Sequence, residues 1–196
     1  MADSPTDPTE FFDQLTNELL MLRVQAQRRY RPLSLEVLNQ RPGTERWSVG
    51  QCFEHLNIMG GYYLPEIGAR LRQAQAAGSQ PVTTIKHGYF GKRKVQAAES
   101  LSEEEKQITH KLYAPTGMRL TRTVIEAFSR QLDELLRLML LARQVNANAI
   151  RIPDPMFKLM RPRLTDTLEY LLAHIKRHVR QAEAVLAGLD EKKPAE

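Results

Sequence analysis

Apolar residues recur along this chain at three- and four-residue steps, the spacing of one buried stripe on a helix. Phe11, Leu15, Leu19, Leu22 and Ala26 follow that step, and Asp7-Pro8-Thr9-Glu10 before them has an Asp cap with proline at the first position. A first helix over 8–29 is predicted. Pro32, Pro42 and Gly43 mark a loop from Arg31 to Trp47. Ser48 and Gln51 then form an S-x-x-Q capping box opening a helix to about Ala76, with a bend expected at Gly60, Gly61 and Pro65. Leu120, Val124, Phe128, Leu132, Leu135 and Leu138 place a third long helix over 118–145. Thr165 is the expected cap of a last helix ending near Ala187 and stopped by Gly188.

Between the second and third long helices, 77–117 is rich in glycine and proline and is read as a long loop segment, with a short helix near Ser102–Gln107. Connections this long often cover an active site. No run alternates as a strand would. The expected architecture is all-α, a four-helix bundle with one long connection. It forms a single domain over 1–196, with its core at about 8–188 and a frayed tail at 189–196.

Composition changes this picture little. Of 196 residues, 42% are hydrophobic and 26% charged, which suits a globular domain able to bury a core. One cysteine, Cys52, rules out an intrachain disulfide framework and suits a cytoplasmic location. The polar start MADSPTDPTE does not resemble a secretory signal, and LLRLMLLA at 135–142 is too short to span a bilayer. The net charge of +5 permits acidic partners, but it is spread along the chain and no nucleic-acid motif accompanies it.

The candidate chemistry lies in three histidines. His174 and His178 are spaced i, i+4 on the side of the last helix that carries Leu171, Gln181 and Val185. His55 shares a stripe of the second long helix with Gln51, Cys52, Ile58, Met59 and Tyr62. Two readings stand: buried histidines satisfied by hydrogen bonds, or ligands of one transition metal held between facing helices. Three neutral imidazoles suit Zn²⁺, Ni²⁺, Fe²⁺ or Co²⁺ and leave a coordination position open. Metal affinity should fall as they protonate near pH 6.5. Gln181 borders this group as a further candidate, either behind a ligating histidine or as a contact to cofactor or substrate. Cys52, one turn before His55, reads better as a packed thiol than as a nucleophile. His87, His110 and the basic stretch KHGYFGKRK, with Lys92, Arg93 and Lys94, read as solvated loop.

The segment W-S-x-x-Q-x-x-x-H-L, here Trp47, Ser48, Gln51, His55 and Leu56, resembles the opening of helix two in the DinB/YfiT-like superfamily. Thr167, Leu168, His174, His178 and Gln181 are similar to the signature of its last helix. The resemblance spans roughly 8–188. It implies a four-helix bundle in which His55, His174 and His178 bind a divalent metal, usually Zn or Ni. It also implies a metal-dependent enzyme acting on a small molecule, a thiol-dependent S-transferase or a hydrolase with a possible low-molecular-weight thiol cosubstrate. A homodimer is expected on the same ground. The alternatives are a non-catalytic, stress-related metal-binding or interaction protein and, more weakly, nucleic-acid binding through the basic loop.

Overall fold

The computed structural model describes residues 6–100, 110–117, 119–157 and 159–190. All its long elements are helices: α1 Pro8–Gln25, α2 Leu35–Asn39, α3 Val49–Ala76, α4 Tyr89–Ser100, α5 Thr123–Ala142 and α6 Leu164–Asp190. No helix among the described residues is long and apolar enough to cross a membrane. α1 packs against α5 and α6, and α3 packs against the same two helices, so four long helices enclose one core. Phe12, Leu19, Phe53, Phe128, Leu132 and Leu171 fill it. Each such side chain contributes about 1.5–3 kcal/mol through loss of apolar surface to water.

Local chemistry sets the helix ends. Asp7 accepts hydrogen bonds from the backbone N–H groups of Thr9 and Glu10, with Pro8 at the first position. α1 closes in a π-helical turn, Ala26–Tyr30, which buries Tyr30. At α3 the capping box is complete: Ser48 Oγ accepts from Gln51 N–H at 3.2 Å, and Gln51 Oε1 accepts from Ser48 N–H at 3.1 Å. Just past the end of α3, Gly78 has a φ of +68° that allows Ser79 N–H to reach back to the Ala74 carbonyl. Pro65 sits inside α3, which runs through it as one element.

Several expectations are corrected. The loop 31–47 contains the short helix α2, capped by Ser34. The third long helix is shorter than 118–145, because it starts at Thr123 and ends at Ala142. Thr165 does not cap the last helix. It lies inside α6, buried, and its hydroxyl donates to the Lys86 carbonyl at 3.1 Å. Asp166 caps the start instead, accepting from Arg163 N–H at 3.3 Å. Gly188 does not stop α6, which continues to Asp190, so 189 and 190 are helical rather than frayed. The rest of the tail lies outside the described residues, as does the short helix expected near Ser102–Gln107.

The largest correction concerns 77–117, which is not simply a loop. It contains α4, packed along α6. The approach is close at Gly91: a Cβ there would lie 2.2 Å from Asp166 Cγ, so only glycine admits this contact. The segment is tied down from both ends. Before α4, buried Asn148 accepts from Lys86 N–H and donates to the Thr84 carbonyl, each at 2.8 Å. After α4, Glu54 accepts from Gly117 N–H at 3.1 and 3.0 Å.

Candidate metal centre

α3 and α6 face each other across the core, and that pairing brings His55 to His174 and His178. One ring nitrogen from each of the three lies within 4.8 Å of the others. His55 Nε2 and His174 Nε2 are 2.9 Å apart, and the ring centroids are separated by 4.4–5.1 Å. His55 and His178 are buried. Burial lowers the pKa of all three imidazoles: His55 falls, His174 falls well below the ordinary value, and His178 falls to about 3. Like-charge repulsion adds to this at His174 and His178. All three rings are therefore neutral at neutral pH, the form that carries a lone pair.

The outer nitrogens decide where that lone pair points. His55 Nδ1 lies 2.8 Å from the Tyr113 carbonyl, which can only accept, so Nδ1 holds the proton and Nε2 faces the cluster. His178 Nδ1 lies 2.8 Å from Gln181 Oε1, with the same consequence. Gln181 thus stands behind His178, one of the two places expected for it. With His55 Nε2 deprotonated, the hydrogen bond to His174 is donated by His174 Nε2. Trp47 covers the group, its ring centroid 5.0 Å from His55 and 5.8 Å from His178. Behind His174 is an apolar cavity of about 20 Å³, bounded by Leu56, Met59, Phe128 and Leu171, with room for no more than a water.

Sequence reasoning missed the groups that α4 and its flanks bring in. Lys94 is not solvated. Its ammonium pairs with buried Asp154, donates to Tyr63 Oη at 3.0 Å, and lies 3.9 Å from the centre of the Tyr170 ring. Tyr170 in turn sits 5.6 Å from His174. Tyr113 is buried, and its hydroxyl has no hydrogen-bond partner among the described residues. Burial raises the pKa of that phenol, which keeps it a donor. A backbone carbonyl carries no residue signature, so the Tyr113 contact to His55 left no trace in the sequence.

The other candidates separate cleanly. Cys52 is fully buried, and burial pushes its thiol up to about 12, which removes the nucleophile reading. His110 is exposed, as expected. His87 is not: its Nδ1 lies 3.4 Å from Asp166 and 3.1 Å from Glu169, forming a second group of possible ligands. Nδ1 is off line for a well-directed hydrogen bond, yet both carboxylates lie within reach of it. The Asp166 carboxylate first, then Glu169, raises the His87 pKa to about 9.

An imidazolium held this way clamps the segment before α4 to α6. Its folded pKa is raised, so its contribution is fully present below the unfolded value of about 6.5 and is lost as pH rises through about 9. Denaturant unfolding at pH 6 and pH 10 should show a loss on the order of 2 kcal/mol, less than full conversion because the ring keeps some solvent. His87→Ala should flatten that slope; an unchanged slope would mean that the clamp is uncharged.

The chain matches no curated protein and no solved structure. A family model described as the DinB superfamily matches residues 18–193, a span containing all three histidines and both helices that carry them. With that match over most of its length, the chain belongs to the DinB superfamily.

Proposed function

We propose that this protein is a metal-dependent enzyme of the DinB kind, whose four long helices form the family's bundle and hold one divalent transition ion, Zn or Ni, on His55, His174 and His178. The observation that carries the reading is the convergence of three neutral imidazoles, two with their Nε2 lone pairs directed inward by acceptors at Nδ1. Such outer partners are how metal-binding histidines are oriented. Three nitrogen ligands leave a position for substrate. When bound, the ion supplies Lewis acidity toward a thiolate or a carbonyl.

The chain's own residues do the remaining work. Tyr113 and Gln181 hold two imidazoles in the required tautomer, and Trp47 keeps water off their faces. The Tyr113 hydroxyl is a buried donor with no acceptor among the described residues, a role that a substrate oxygen or sulfur can fill. Lys94, paired with Asp154, adds a positive charge felt at His174. The substrate is a small molecule, and a low-molecular-weight thiol fits as cosubstrate because a divalent ion of this type readily holds a thiolate.

A thermal-shift screen tests this against a metal that merely staples the helices. Zn²⁺ or Ni²⁺ should raise the melting temperature of wild type but not of His55→Ala, and a thiol should raise it further only with metal present. Stabilisation by metal and indifference to every thiol would favour the non-catalytic reading. No response to metal would end both.

A further inference from the structure

α3 carries a second feature at its other end. Arg70 lies about 22 Å along the helix axis from His55. There Arg70 and Gln73 border a cavity of about 260 Å³ with Ala149, Ile150, Arg151 and Arg161, where roughly 10–15 Å³ suffices for one water. Three guanidinium groups line it and no acid does. Arg70 is paired with Glu66 at 2.7 Å. Arg151 and Arg161 have no ion pair or side-chain hydrogen bond among the described residues. Asp154, the acid closest in sequence to Arg151, is committed to Lys94, Tyr63 and two backbone N–H groups. Asp166, the closest to Arg161, accepts from the Gly88 and Arg163 N–H groups.

The backbone that presents these arginines is paired across a short bridge. Arg151 and Arg163 form an antiparallel bridge, with Ile152 N–H donating to the Pro162 carbonyl and Leu164 N–H to the Ile150 carbonyl, both at 3.0 Å. Arg163 adds another positive charge at the same base, its Nη1 donating to the Asn148 carbonyl at 2.7 Å. Holding Arg151 and Arg161 beside Arg70 with only Glu66 as counter-charge is unfavourable for the free protein and becomes favourable once an anion enters. Guanidinium forks match phosphate oxygens two at a time. The tip of the same hairpin is apolar and exposed, with Phe157 58% and Leu159 fully exposed.

We propose that Arg70, Arg151 and Arg161 form a binding pocket for a phosphate-bearing anion, separate from the histidine centre. The phosphate can belong to a soluble molecule or to a lipid headgroup, beside which the apolar tip would insert. Isothermal titration of the full chain with pyrophosphate should show saturable binding. Affinity should fall at least about tenfold in Arg151→Gln/Arg161→Gln, as expected when charge-assisted hydrogen bonds are lost. It should hold in Arg28→Gln/Arg31→Gln, an exposed pair of equal charge elsewhere.

Co-sedimentation with phosphatidylcholine vesicles containing phosphatidic acid separates the two sources. Vesicle binding abolished both by Arg151→Gln/Arg161→Gln and by Phe157→Ser/Leu159→Ser assigns the pocket to a headgroup. Pyrophosphate binding without vesicle binding assigns it to a soluble phosphate. Wild type that binds neither probe overturns the proposal, as does equal loss in the two arginine double variants.

Discussion

Purified protein is expected to carry about one divalent transition ion per chain, and His174→Ala is expected to carry almost none. His174 is the ligand to remove because it touches both others: its Nε2 meets His55 at 2.9 Å and its ring lies 4.5 Å from His178. Two remaining imidazoles would leave the ion mostly to water. Because the three rings stay neutral in the folded chain, binding needs no net loss of a proton, only a shift of the His174 proton from Nε2 to Nδ1. Binding to the folded chain alone stabilises it by about 4 kcal/mol when free metal exceeds the dissociation constant a thousandfold. A chelator should therefore lower the melting temperature of wild type and leave His174→Ala unmoved. Element analysis decides the matter. An ion retained in His174→Ala but lost in His87→Ala would move the centre to the group of His87, Asp166 and Glu169.

Asp154→Ala should cost about 3–5 kcal/mol, because it leaves the Lys94 ammonium buried without its carboxylate. Asp154 is 3% exposed and the Lys94 side chain 25%, so water cannot readily replace the lost partner. Burial already lowers the Lys94 pKa, with Asp154 opposing that shift. The same substitution takes an acceptor from Tyr63 and from the N–H groups of Met156 and Phe157. Against a typical total of about 5–15 kcal/mol, the loss is severe. Chemical denaturation measures it, and adding Lys94→Met should recover much of the deficit by removing the stranded charge. A cost below about 1 kcal/mol would show that Lys94 reaches solvent without Asp154. Since the pair fastens α4 beside Tyr63 and Tyr170, the variant should also weaken metal retention.

The three long helices with dense apolar stripes were legible because burial demands a repeat close to 3.6 residues, and Leu15, Phe128 and Leu171 obey it. The α3 start was legible for a different reason. A capping box is local chemistry, complete within Ser48–Gln51. α4 was not legible. Its stretch carries glycine and the three consecutive basic residues Lys92, Arg93 and Lys94, and it is helical where Gly91 rests on Asp166 and Lys94 reaches Asp154. His87 was misread for the same cause, since both its carboxylates come from α6, far along the chain.

The residues alone thus settled the four helices that enclose the core and that His174 and His178 share one side, because periodicity and i, i+4 spacing are properties of a single helix. The W-S-x-x-Q-x-x-x-H-L frame set His55 apart from an ordinary core histidine. Its meeting with the pair depends on α3 packing against α6. The same holds for the Tyr113 carbonyl that sets its tautomer, the Lys94–Asp154 pair and the arginine-lined pocket. Each joins groups tens of residues apart, and contacts of that range arise from how helices pack, which no local pattern encodes.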